Sequence, residues 1–144
     1  MSRIINSNNA AKVRNQNLGT VAGLLRAIAA RPAMDEDARD MAAAAVYLLR
    51  EVYATADQTA QAWEKRGYWM KADRFLREWE WAEEAAANFE DILRNQAWDV
   101  LPRLLAEIGA QLGGVQPKKQ SQPNGQWRGA YLKLLAETPG AAPR

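Results

Sequence analysis

Residues 68–95 read YWMKADRFLREWEWAEEAAANFEDILRN, and how this stretch is read decides the fold. It holds three of the six Trp and both Phe, so it is the bulkiest apolar segment and the one around which the rest is expected to be organised. Tyr68/Trp69, Ala72, Phe75/Leu76, Trp79, Ala82, Ala86, Phe89 and Leu93 recur every three or four residues, the spacing of one helix face. A single long helix is predicted, closed by Asn95. Trp81 lies about 200° around that helix from Trp79, so the two cannot face the same core along their backbone directions. With Met70, Ala85 and Ile92 it forms a second, thinner apolar stripe beside Arg74 and Arg77. Either the helix is buried on two sides, or this stripe docks on a partner.

The preceding thirty residues carry an equally long helical pattern. Asp35 is placed as its N-cap, with Glu36 and Asp37 in the first turn, where negative charge suits the helix dipole. Ala38, Met41, Ala45, Leu48, Val52, Ala56 and Trp63 supply the apolar face, and Lys65, Arg66 and Gly67 give a C-terminal signature of cations followed by a residue free to take positive φ. A continuous rod through Gly67 would be far outside the ordinary length of a globular helix. An antiparallel hairpin with a tight turn at Gly67 is therefore expected.

Upstream, Ser7 or Asn8 is placed as the cap of a first helix whose face is Leu18, Val21, Leu25 and Ile28, ended by Pro32. Gly19 and Gly23 on that helix either permit close packing or merely weaken it. Downstream, Asp99 is placed as the cap of a fourth helix with Pro102 in its first turn, Leu104, Ile108 and Leu112 inward, and Gly113 and Gly114 as its stop. The fold class that results is all-α: a four-helix, mostly antiparallel bundle built on a long helical hairpin, with a short fifth helix. Residues 1–112 form the bundle, 113–126 a flexible basic linker, 127–137 an amphipathic helix packing on the bundle or on a partner, and 138–144 a disordered tail.

Composition removes much chemistry. With no Cys and no His, disulfides, thiolate sites, the usual general base and the commonest metal ligand are all lacking. Glu80, Glu83, Glu84, Glu90 and Asp91 have helical spacing but no matching acid pair on a later helix, so they are read as a solvated face. Phosphate loops and nucleophile elbows are also absent from the sequence. No enzyme activity, cofactor, metal or small-molecule substrate is expected. No apolar run long enough for a membrane span or a signal peptide is found, and a cytoplasmic protein without membrane contact is expected.

Charge is segregated along the chain. Residues 1–31 hold five cations and no acid, residues 32–112 hold sixteen acids against nine cations, and residues 113–144 hold five cations against Glu137 alone. Residues 65–81 interleave Lys65, Arg66, Lys71, Arg74 and Arg77 with five aromatic rings, a mixture that suits single-stranded nucleic acid and equally an amphipathic helix with a charged outer face. Two expectations follow. The first is a non-catalytic helical protein that self-associates or joins a larger complex, with Met70, Trp81, Trp127, Tyr131 and Leu134 as contact residues. The second is nucleic-acid association through Lys12, Arg14, Lys65, Arg66, Lys71, Arg74, Arg77, Lys118 and Lys119.

Overall fold

Gly67 turns the chain back on itself. In the computed structural model, which describes residues 7–118 and 126–138, it takes φ +85°. The Gly67 N–H donates to the Glu64 carbonyl at 2.9 Å and the Tyr68 N–H to the Trp63 carbonyl at 2.9 Å. This pair of bonds is a Schellman motif, which ends a helix by satisfying its last carbonyls. It separates α2 (Glu36–Lys65) from α3 (Trp69–Asn95), and the two pack as the expected hairpin. At its other end α2 is capped by Asp35, whose Oδ1 accepts from the Ala38 N–H at 2.9 Å.

α1 (Ser7–Ala29) packs along α2, and α4 (Leu101–Leu112) packs between α1 and α3. α5 (Ala130–Ala136) lies on α2 and touches α3. The chain is thus an all-helical bundle with a short C-terminal helix, and no strand occurs among the described residues. No helix there is long and apolar enough to cross a membrane.

The helix at the centre is α2 rather than the bulkier α3. Ala38 and every residue from Asp40 to Val46 are buried, so that stretch is enclosed all round. Runs of Ala allow neighbouring backbones to approach from several sides, and α1, α3 and α5 all do so. The large rings of α3 instead sit towards the rim: Phe89 is fully buried, while Phe75, Trp79 and Trp81 are only partly covered. Ala85 and Ile92, members of the second stripe, are buried in the core. α3 is therefore covered on two sides in its lower half.

α3 ends at Asn95, as expected, and Gln96 follows as its cap in a left-handed conformation at φ 52°, with the Ala97 N–H reaching the Ile92 carbonyl at 3.0 Å. The start of α4 differs from expectation. Asp99 does not cap α4, because Trp98–Val100 form a 3-10 turn leading into Val100 at the N-cap, which makes no side-chain cap bond. Trp98 is held there by Arg39, whose guanidinium lies 5.4 Å from its ring centre. After α4, the chain crosses α1 at Gly19: the Lys118 N–H donates to the Gly19 carbonyl at 2.9 Å, and a Cβ on Gly19 would lie 3.3 Å from the Gln116 carbonyl oxygen. Residues 113–118 are thus laid against the bundle. Residues 119–125 of the expected linker and 139–144 of the expected tail lie outside the described residues, as does the arm before Ser7.

Candidate interaction surface on the third helix

α4 is 12 residues long, about 18 Å, against 27 residues and about 40 Å for α3, so it covers only part of its neighbour. The outer side of α3 next to the turn is left uncovered among the described residues. Tyr68, Trp69 and Met70 there are 55%, 63% and 77% exposed, the largest cluster of exposed apolar side chains among the described residues. Consecutive residues point about 100° apart on a helix, so the three ring the tip rather than line a groove. Trp69 and Met70 join Asp73, Arg74 and Arg77 around an open depression of about 380 Å³.

The cations here are not spent on a common purpose. Arg77 donates to Asp73 at 2.9 Å in an exposed pair, and Lys71 lies 4.5 Å from the Trp63 ring centre. Lys65, Arg66 and Arg74 are exposed and make no ion pair among the described residues. Further along the same outward face come Glu80, Glu84, Ala87, Asn88 and Asp91, all exposed. Tyr53 on α2 lies near the acidic zone, and its hydroxyl is pushed above its ordinary range first by burial and then by Glu83, Asp57 and Glu80. Among the described residues no cluster of three or more acids has metal-holding geometry.

The other expected contact residues are placed elsewhere. Arg14 is no surface cation: it is 7% exposed, 5.2 Å from both the Phe75 and Trp79 ring centres, and donates to Thr55 Oγ1 at 3.4 Å. Burial pushes its guanidinium below the usual value. Lys12 is exposed, the Lys118 side chain lies along Gly19, and Lys119 is outside the described residues. Trp81 is half-buried, with its ring centre 6.2 Å from that of Trp79, because long side chains lean well away from their backbone directions. Tyr131 and Leu134 are buried against the bundle and Trp127 packs beside them, so these three close the protein's own core.

That closure depends on Asp40, Arg50 and Arg94, which the sequence did not single out, and on Glu90, which was expected on a solvated face and is instead 7% exposed, held by two arginines. Asp40 accepts from the Gly129 and Tyr131 N–H groups at 3.1 and 3.0 Å, capping α5 from across the bundle. Arg94 donates to the Leu134 and Glu137 carbonyls, both at 2.9 Å, at the other end of α5. Glu90 accepts from Arg50 at 2.9 Å and from Arg94 at 2.7 Å, while Arg50 also meets Glu137 at 3.1 Å. Burial opposes ionisation of Glu90 and Glu137, yet the bonds from Arg94 and Arg50 to the first, and from Tyr47 and Arg50 to the second, hold both carboxyls below the ordinary range. Burial and the bond to Glu137 push the Tyr47 hydroxyl up to about 12, which keeps it a donor. The Glu90–Arg94 spacing is a legible i,i+4 pair; Arg50 and Glu137 are too distant in sequence to suggest themselves.

Fold and surface together define a helical bundle with an exposed, aromatic and cationic hairpin tip. Compared with known protein families, with characterised proteins and with solved structures, the chain matches none.

Proposed function

We propose that the protein is a non-catalytic helical module that works by protein–protein contact through the outward face of α3, beginning at the hairpin tip. The observation that carries this reading is the exposure of Tyr68, Trp69 and Met70 as three consecutive large apolar residues, whereas the only other exposed large apolar side chains among the described residues are Val100 and Leu132. Trp, Tyr, Met and Arg are the residue types enriched at protein contacts. Placing a photo-reactive amino acid at Met70 in expressing cells tests it. A protein adduct is expected from that site and none from a control at Ala106; absence of any adduct at Met70 overturns the reading.

A second reading, contact with single-stranded nucleic acid, is favoured by Arg74, which lines the same depression as the exposed Trp69 ring, and by the exposed Arg66 at the turn, neither of which makes an ion pair among the described residues. Arg14, buried inside, no longer contributes to it. Anisotropy of a labelled oligonucleotide, weakened by salt and abolished by Arg66→Glu with Arg74→Glu, would support this reading. Unchanged anisotropy at low salt removes it.

A further inference from the structure

The exposed face of α3 changes sign along its length. Near the tip it presents Arg74 and Arg77, with Asp73 bound to Arg77, beside the apolar pair Trp69 and Met70. Beyond Glu80 it presents Glu84 and Asp91, with the small side chains of Ala87 and Asn88 between them and no exposed cation before Asn95. A helix face with cations at one end and carboxylates at the other is complementary to itself when a second copy is laid against it in the opposite direction. We propose that two copies of this chain pair through α3, antiparallel, about a two-fold axis passing between Glu80 and Trp81.

This rests on the reading of α3 as a protein-contact face and names its partner. About such an axis Arg77 of each copy falls opposite Glu84 of the other, and Arg74 falls opposite Ala87, within a helical turn of Asp91. Asp73 meets Asn88 rather than another acid. Met70 falls opposite Asp91 and Trp69 opposite Ile92, over the exposed side chains of Asn88, Asp91 and Asn95. The two Glu80 side chains come together at the axis, a like-charge contact set against the four Arg77–Glu84 and Arg74–Asp91 attractions. A two-fold contact is isologous, so each of these pairings occurs twice. The opposed charges set direction and register, whereas the Trp69 and Met70 side chains supply the apolar burial that exposed ion pairs alone do not. A parallel pairing would set Arg77 against Arg77 and Glu84 against Glu84.

The purified full chain tests this by sedimentation from micromolar to millimolar concentration at low salt. The expected result is a shift from the 16.1 kDa monomer to twice that mass, with at least about a tenfold weaker dimer for Trp69→Ser with Met70→Ser. Two charge reversals then fix the geometry. Arg74→Glu with Arg77→Glu makes the whole face acidic, and Glu84→Lys with Asp91→Lys makes its acidic end basic; each variant alone is expected to stay monomeric. Mixed in equal amounts they are expected to form the heterodimer, because every reversed contact is again opposite in sign. A wild-type chain that stays monomeric at every concentration, reversals that leave the dimer intact, or a mixture that stays monomeric would each overturn the proposal. If the proposal fails while Met70 still yields adducts to other proteins, the contact face stands and only the identity of its partner changes.

Discussion

Arg14 carries a positive charge into the space between α1 and α3 without a carboxylate to meet it among the described residues. Its partners are the Phe75 and Trp79 rings and one long bond to Thr55. Lying between two rings at once suits the flat, weakly hydrated guanidinium better than a compact, strongly hydrated ammonium. Replacing a buried charge by an apolar side chain of similar volume is often neutral or stabilising. Arg14→Met is therefore expected to match or exceed the wild type in urea unfolding, whereas Arg14→Lys loses both ring contacts and is expected to cost about 1–2 kcal/mol. If Lys is tolerated as well as Met, the rings are not what holds this side chain. Gln96 poses a different problem, since its left-handed backbone at φ 52° is one that a side chain disfavours. Gln96→Gly is expected to stabilise the fold by about 1 kcal/mol, read as a rise of a few degrees in melting temperature. Nothing in the local sequence marks that strain.

At the scale of elements, α5 shows how a helix too short to stand alone is held in place. Seven residues cannot form a stable helix in water by themselves, and Gly129 at its N-cap has no side chain to offer. Asp40 supplies the missing cap from α2, and Arg94 closes the last turn from α3. Asp40→Ala leaves two N–H groups without acceptors, a loss of about 2 kcal/mol concentrated on this helix. The expected outcome is a red shift of Trp127 emission and faster hydrogen exchange at Tyr131 and Leu134, with the α2 and α3 amides little changed. Equal acceleration across all helices would mean that α5 is part of the main cooperative unit instead. The sequence showed Trp127, Tyr131 and Leu134 as one helix face needing cover, although the helix begins only at Ala130 and Trp127 sits in the turn before it. What covers it was not legible there, because a cap donated by a distant helix leaves no local pattern. The central place of α2 escaped notice for a related reason: bulk marks which residues prefer burial, whereas the Ala run from Ala42 to Ala45 marks where several backbones can approach. The turn at Gly67 needs only local bonds, and it was read correctly from the residues on either side.

For the whole molecule, the ion network of Arg50, Glu90, Arg94 and Glu137 ties α2, α3 and the end of α5 into one body, and it gives the fold a dependence on acid. Glu90 and Glu137 have folded-state carboxyls held below the ordinary value of 4.5, despite burial, by their arginine and tyrosine partners. A carboxyl with a depressed folded pKa contributes stability that is fully present above its unfolded pKa and is lost as pH falls through the folded one. The melting temperature is therefore expected to be flat near neutrality and to fall once the pH drops below about 4.5, as the unfolded chain takes up protons more readily than the folded one. Glu90→Gln keeps the shape of the side chain but leaves Arg50 and Arg94 facing a neutral amide, which is expected to cost about 3 kcal/mol at pH 7. Protonation of Glu90 removes the same charge in the wild type, so the gap between the two proteins is expected to narrow steadily below that pH. Melting curves of both proteins between pH 7 and pH 3 decide the matter: a gap of constant size across the range would mean that Glu90 supports the bundle by packing rather than by charge.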